Sequence, residues 1–500
     1  MPDPVPPTDW SRGYPVGETY PVVWHGGQAP MRLRLACDLV GVAWEPPADL
    51  CYADLGCGTG YSANVLAAAN PAWQVFGLDY MPAHIAAARA LSEAAALRNT
   101  RFLQADLVTM TDAELDALPE FDVVALTGFW SWVGDPVREG ALRLIRRRLK
   151  PGGLVVASYN SLPGAAGAIG LQRIAREFFA RNTSSAAATA QFTAFLKALQ
   201  AAEPRHLTPN HWLDGLLGDP AAMPSNYVLH ELATEHWRPT FFADFNAAMG
   251  AAGLEFVGSA ALDENLPYLT LKPAAQRLHA AMPDRVGQEI VTDFCVPRFL
   301  RQDIFVRGLR RVAAEPVLDA TILTRAGIGR REPMVRTQTG TSTLPAAAVQ
   351  PMIAALDRGP CSVAQLRDTV GRDRISAADT LTMMICSGSA VPRVAAPAGA
   401  EPVARRFNRA SATLAAPGGL LGNPALAVPA LGNGLAASRE ELTLIPHLLD
   451  LPPGAPADPA ALARALLPPD AAPEAVAAME DKVVSLLARR VPVLRELGIL

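Results

Sequence analysis

Along the first 160 residues, short apolar runs alternate with longer segments whose apolar positions recur at helical spacing. Leu50 to Asp54 predicts a strand that ends at a glycine-rich turn, with a helix over Tyr61 to Ala69 behind it. Trp73 to Leu78 predicts a second strand closed by Asp79, followed by an alanine-rich helix from Met81 to Ala96. Arg101 to Gln104 and Asp122 to Thr127 predict strands three and four. Asp135 to Lys150 predicts an amphipathic helix, and Leu154 to Tyr159 a fifth strand. Alternation of this kind builds βαβ units, so the expected fold class is α/β with a Rossmann-like parallel sheet. In such sheets a ligand sits beyond the C-terminal ends of the strands.

From 161 to 235 the pattern turns helical and irregular, as expected of a cap inserted into the sheet domain. Asp244 to Gly253 predicts a helix and Leu254 to Gly258 a strand, a late pair that completes the first sheet; Leu266 to Leu271 predicts one strand more. The first domain therefore takes in residues 1–160 and about 236–275, and residues 276–340 connect it to the C-terminal modules. Helices over Leu344 to Asp357, Val363 to Val370 and Asp379 to Ser387, then a strand from Ala390 to Val394, predict a winged-helix-like module over 341–395. A Pro/Ala/Gly linker precedes a helical module over 402–500. The C-terminal part is thus expected to be mainly α.

Five hundred residues suggest about three domains. Half the residues are hydrophobic and 18% are charged, enough to build cores. The net charge, 44 − 48 = −4, weighs against a nucleic-acid binder that works through bulk positive charge. The six cysteines form no CxxC pair and no zinc spacing, which points to reduced thiols in a cytoplasmic protein. Met1 to Trp10 has neither a basic start nor an apolar core and does not read as a secretory signal. The longest uncharged stretch, Leu414 to Ala437, is broken by Pro417, Pro424 and Pro429, so no membrane helix is expected. Neither nucleic acid nor membrane is an expected partner.

The run Asp54-Leu55-Gly56-Cys57-Gly58-Thr59-Gly60 lies between a predicted strand and a predicted helix. Its glycines let backbone amides approach a ligand, and the helix N-terminus behind them favours an anionic group. A dinucleotide site typically shows GxGxxG; here the spacing is GxGxG. S-adenosylmethionine has no phosphate but carries a carboxylate, an ammonium and a sulfonium. Asp54 suits the cationic methionine part and the loop amides suit the carboxylate. Asp79, at the end of the second strand, is placed to accept both ribose hydroxyls, and Asp106, after the third, to accept from the adenine amine. The expected cofactor is S-adenosyl-L-methionine. Its expected contacts are Asp54, Gly56, Cys57, Gly58, Gly60, Asp79, Tyr80, Asp106, Leu107 and Thr127.

These residues, with Leu149-Lys150-Pro151-Gly152-Gly153 before strand five, resemble the motifs of the class I methyltransferases over about residues 48 to 160. Three further stretches resemble a bacterial subgroup in which that domain is followed by a methyltransferase regulatory domain, and which includes lysine methyltransferases of outer-membrane proteins. They are Leu126 to Val133, Ser158-Tyr159-Asn160-Ser161-Leu162-Pro163-Gly164, and Tyr227 to Leu232 followed by Trp237-Arg238-Pro239. Thr127 stands where the subgroup usually has His, and Trp130 where it usually has Tyr. The resemblance implies a class I fold, protein lysine side chains as methyl acceptors, and a regulatory or connecting role for 276–340.

Methyl transfer from a sulfonium is an in-line displacement governed by positioning. Trp130, Trp132, Tyr159 and Asn160 follow strands four and five, where the acceptor should arrive, and are the catalytic candidates; the alternative is packing of the pocket wall or cap interface for the three aromatics and capping of a turn for Asn160. No general base is identified. His25 would reach the site if the N-terminal segment folds over the cofactor, although packing suits it better. His230-Glu231 and His236 lack the HExxH spacing, and His206 and His211 form no ligand set, so no metal is expected. The arginines of 138–150 read as a solvated helix face. The leading reading is an S-adenosylmethionine-dependent methyltransferase. The alternatives are a small-molecule N- or O-methyltransferase and a non-catalytic cofactor-binding protein; a homodimer is left open.

Overall fold

The computed structural model describes residues 12–218, 223–327, 334–337, 340–415, 422–452 and 455–500. Met1 to Trp10 and residues 416–421 of the uncharged stretch lie outside the described residues.

The first domain is organised on a seven-stranded sheet of β1 (Cys51–Leu55), β2 (Gln74–Asp79), β3 (Thr100–Gln104), β4 (Phe121–Leu126), β5 (Leu149–Asn160), β6 (Glu255–Ser259) and β7 (Leu300–Val306). The strand order is β3-β2-β1-β4-β5-β7-β6. Every residue of β1 is buried, as expected of a central parallel strand covered on both faces. Its neighbours β2 and β4 run parallel to it, with Asp54 opposite Gly77 and Ala125. Asp79 lies opposite Gln104. This register brings the ends of β1, β2, β3 and β4 to one edge of the sheet, where the loops carry the candidate residues.

The sheet helices are α1 (Pro30–Leu39), α2 (Tyr61–Ala69), α3 (Pro82–Ala94), α4 (Asp112–Asp116) and α5 (Asp135–Arg148). The cap consists of α6 (Ala168–Arg181), α7 (Ser185–Ala201), α8 (His211–Leu217) and α9 (Ser225–Leu232), and α10 (Phe242–Ala251) precedes β6. Its core gathers Phe192, Trp212, Leu213 and Trp237 around Trp132.

The sheet extends further along the chain than its apolar runs indicate. Leu266 to Leu271 is not a strand: Pro267 opens a short helix over Pro267–Thr270, a position where its missing N–H is harmless. The added strand is β7, antiparallel to both β5 and β6. It carries buried charge, so it does not stand out as an apolar run. Arg301 donates to Asp303 within the strand and to Asp293 and Glu289, all at 2.8–2.9 Å. Buried charges are tolerated only when paired in this way.

Beyond the sheet, helices over Ala346–Leu356, Val363–Asp368 and Ala377–Cys386 pack with a three-stranded sheet of Ile322–Arg325, Cys361–Ser362 and Ala390–Pro392. A hairpin of Ala425–Val428 and Asn433–Ala436 follows, before helices over Arg439–Leu449, Pro459–Ala465, Pro473–Arg489 and Val491–Glu496. The hairpin lies against α2. The Tyr61 hydroxyl donates to the Ala425 carbonyl at 2.9 Å and accepts the Ala425 N–H at 3.2 Å. Val65 and Leu66 of α2 share one apolar core with Phe407, Leu426 and Leu431.

Candidate cofactor and acceptor site

The turn after β1 is shaped by its own backbone. The Gly56 and Cys57 amides donate to the Leu78 carbonyl at 2.8 and 3.1 Å. The Gly58 amide donates to Asp79 Oδ2 at 2.9 Å. Gly60 caps α2 with φ +68°, and a Cβ there would stand 2.5 Å from the Ala88 methyl. Its function is to let α2 start against α3, and its side of the turn does not line the cavity.

The cavity above this edge is lined by Asp54, Gly56, Cys57, Gly58, Asp79, Tyr80, Asp106, Leu107 and Thr127, nine of the ten residues expected to touch the cofactor. Asp54 is 3% exposed and accepts from Gln28 Nε2 at 2.9 Å. Burial raises its carboxyl to about 7, against the opposing effect of Gln28, and the Asp79 charge adds to the rise. Asp79 accepts from Met81 N as well as Gly58 N, and its Oδ1 lies 3.1 Å from His84 Nδ1. A carboxylate offers about four lone-pair sites, and these three contacts leave about one for a ligand. On this count Asp79 has one position open toward a ribose hydroxyl, against the two it was expected to accept.

Asp106 is bound from an unforeseen side. Arg12 Nε donates to both oxygens, at 3.0 and 3.1 Å, and Nη2 to Oδ2 at 2.6 Å. The Val108 amide donates to Oδ1 at 3.0 Å. Burial alone would raise this carboxyl, but Arg12 and Val108 outweigh it and hold it below its ordinary value.

Of the four catalytic candidates, Trp132 alone lines the cavity. Trp130 packs edge-on against Phe245 at 4.9 Å with Arg138 over its ring. Tyr159 stacks on Phe245 at 4.2 Å and donates to Asp303 Oδ2 at 2.6 Å. Asn160 accepts from Trp237 Nε1 at 2.7 Å. These three lie behind the wall: Trp130 and Tyr159 belong to the core between the sheet and α10, where strand alternation points Tyr159 inward, and Asn160 ties the sheet to the cap through Trp237.

The far wall comes from residues outside the cofactor motifs. The segment from Arg12 to Gln28 forms a strap over the cavity, lining it with Tyr14, Tyr20, His25 and Gln28; α9 adds His230 and Glu231, and α3 adds His84. His25 is half-buried by accessible surface, and desolvation of its imidazole pushes it down to about 4. His230 Nε2 lies 2.9 Å from the Glu18 carbonyl, which only accepts, so Nε2 carries the proton and Nδ1 accepts from the Tyr14 hydroxyl at 3.0 Å. Tyr20 OH donates to Glu231 Oε1 at 3.1 Å. Burial raises Glu231 to about 7, against the opposing effects of the Tyr20 hydroxyl and the Trp132 ring N–H. The sequence signal for Glu231 is the Tyr227 to Leu232 run, which resembles the regulatory-domain opening but was given no role in the site, while its His230-Glu231 pair was weighed as a metal motif. Among the described residues, no group of three or more His, Cys, Asp or Glu side chains is gathered for a metal.

Residues 53–153 match a family described as a methyltransferase domain, and residues 224–307 one described as a predicted methyltransferase regulatory domain. An uncharacterized protein of Synechocystis sp., sll1526, is 29% identical over 365 residues, covering 72% of this chain and 71% of the relative. The structure of PKMT2 from Rickettsia typhi superposes with a TM-score of 0.63 at 18% identity, covering 94% of this chain and 98% of that one. PKMT2 in complex with AdoHcy superposes with a TM-score of 0.65 at 18% identity, covering 95% and 99%. At that identity the two structures speak for the fold.

The sheet, its cofactor edge and the matched residues give this chain a methyltransferase domain of the class I fold, with S-adenosylmethionine as its cofactor. Within that class the chain carries its catalytic domain joined to a methyltransferase regulatory domain, the pairing to which the Tyr227–Pro239 motif pointed.

The donor set fits the cofactor. Gln28 Oε1 is buried with no hydrogen-bond partner, and the same side chain holds Asp54. Together they present one acceptor without a partner and one carboxylate to the cationic methionine end, and a buried acceptor of that kind demands a donor. The remaining Asp79 lone pair suits a ribose hydroxyl. When bound, the cofactor supplies an electrophilic methyl group.

Proposed function

We propose that the methyl acceptor is an amine, the side chain of a lysine presented by a protein. The observation that carries this reading is Glu231, a buried carboxylate set among Tyr20, Tyr14 and Trp132 at the end of the cofactor cavity. Aromatic faces attract an ammonium group by about 0.5–2 kcal/mol each. A lysine ammonium has no lone pair until it loses a proton. Glu231, with its carboxyl near 7, takes that proton. The amine nitrogen then bonds to the methyl carbon as the carbon–sulfur bond breaks. A hydroxyl acceptor needs no aromatic enclosure, and a buried carboxylate would serve a neutral ring poorly. A cytoplasmic location belongs to this reading and agrees with six free cysteines.

The test is to incubate the protein with methyl-labelled S-adenosylmethionine and a bacterial lysate, then hydrolyse the labelled material. Label in protein recovered as methyl-lysine is expected. Label confined to small molecules, or to oxygen esters, would overturn the proposal.

A further inference from the structure

We propose that His84 is a positioning residue that couples the cofactor's ribose site to the acceptor carboxylate. The imidazole is 2% exposed and stands between two elements that do not otherwise share it. The backbone N–H of Tyr20, on the strap, donates to Nε2 at 3.0 Å. An N–H only donates, so Nε2 is the bare nitrogen and Nδ1 carries the proton. Nδ1–H then donates to Asp79 Oδ1 at 3.1 Å. The tautomer is fixed by its neighbours: protonation of both nitrogens would set Nε2–H against the Tyr20 N–H.

From Tyr20 the path runs along the same residue. Its backbone is held by His84 and its hydroxyl holds Glu231. The strap is also tied to α9 by His230 at the Glu18 carbonyl and by Asn226 Nδ2, which donates to the Thr19 carbonyl at 3.2 Å. A ribose hydroxyl that donates to Asp79 tightens a carboxylate whose other contacts include His84. The imidazole orders Tyr20, and Tyr20 orients the acceptor carboxylate. The coupling travels through direct hydrogen bonds, with no change of protonation required.

This inference rests on the acceptor reading only for the use made of Glu231, and its test needs no acceptor. Amide hydrogen exchange is followed in the full chain with and without S-adenosylhomocysteine, whose binding is measured separately by calorimetry. In the wild type the ligand is expected to slow exchange in residues 13–24 and in α9 by about ten-fold. In His84→Ala it should still bind within roughly five-fold of the wild type while the slowing in α9 disappears. His84→Asn is the second variant, because its amide keeps the place of Nδ1 toward Asp79 but does not reach Tyr20; it should behave as His84→Ala does, and it decides the matter if His84→Ala does not fold. His84→Gln, whose amide oxygen reaches the place of Nε2, should restore part of the slowing. A wild type without slowing in α9, or variants that keep it in full, would overturn the proposal. So would variants that lose ligand binding altogether, since His84 would then serve the cofactor site alone.

Discussion

Arg12 and Asp106 are 94 residues apart in the chain and share three hydrogen bonds of 2.6–3.1 Å. With the Val108 amide, Arg12 occupies about all the lone-pair sites of a carboxylate that stands where the adenine amine is expected. The strap and the base of the cofactor therefore compete for one group. Arg12→Ala is expected to tighten S-adenosylmethionine binding by up to about five-fold, the scale of a partly exposed ion pair. Calorimetry checks the direction; weaker binding would mean that Arg12 holds the cofactor instead of displacing it.

Asp79 is the hinge of the cofactor edge, holding the glycine turn through Gly58 and α3 through Met81. Asp79→Asn keeps the shape but turns one acceptor into a donor that faces the Gly58 or Met81 amide. Loss of a charged hydrogen bond amounts to about 1.5–3 kcal/mol, so the affinity for S-adenosylmethionine should fall by about ten-fold or more. An unchanged affinity in a folded variant would remove Asp79 from the site.

Glu231 sets a pH dependence of defined sign. Its carboxyl is raised to about 7, so the basic form needed to take a proton from an amine grows as pH rises through that value. The turnover rate with saturating cofactor should climb through about pH 7 in the wild type and lose that limb in Glu231→Gln. The Asp54 carboxyl also lies at about 7, but Asp54 faces the methionine end and should show in cofactor affinity. Stability runs the other way: a raised carboxyl favours the folded state below its ordinary value, and this contribution is lost as pH rises through 7. Glu231→Gln should therefore melt at a higher temperature than the wild type at pH 8, with the difference shrinking toward pH 5.

Gly60→Ala combines left-handed backbone with a Cβ pressed into Ala88 and the Phe102 ring. The conformational part costs about 1–2 kcal/mol and overpacking about 1–3 kcal/mol more. Denaturant unfolding should show a loss on that scale. Restoration by a second change, Phe102→Leu, would locate the strain.

The sheet and its cofactor edge were legible because most strands up to β5 are apolar runs, β3 being the half-polar exception, and the first three each carry an acid at or just past their end. Asp54, Asp79 and Asp106 could be placed by counting from strand ends. The acceptor wall could not. Tyr14 and Tyr20 lie in a segment without regular structure, and Glu231 sits on a helix whose relation to the sheet is tertiary. Spacing along the chain carries no information about an ion pair such as Arg12–Asp106. Trp130 does follow strand four, but Tyr159 and Asn160 are the last residues of β5 itself, and which way these side chains point depends on α10 and the cap packed against them. The hairpin at 425–436 was not legible because Pro424 and Pro429, read as breakers, flank a strand whose neighbour is α2.

The antiparallel strand β7 also bears on how this chain can be cut and joined. Leu300 to Val306 pairs residue for residue with Leu154 to Asn160 on one side and with β6 on the other. The stretch matched as a regulatory domain thus contributes the two strands on one side of the catalytic sheet, β7 and the edge strand β6. A chain stopped after residue 260 would bare the hydrogen-bonding edge of β5 from Leu154 onward, which invites edge-to-edge aggregation. The two matched domains are a single folding unit, and transplanting either into a relative requires a junction beyond Val306.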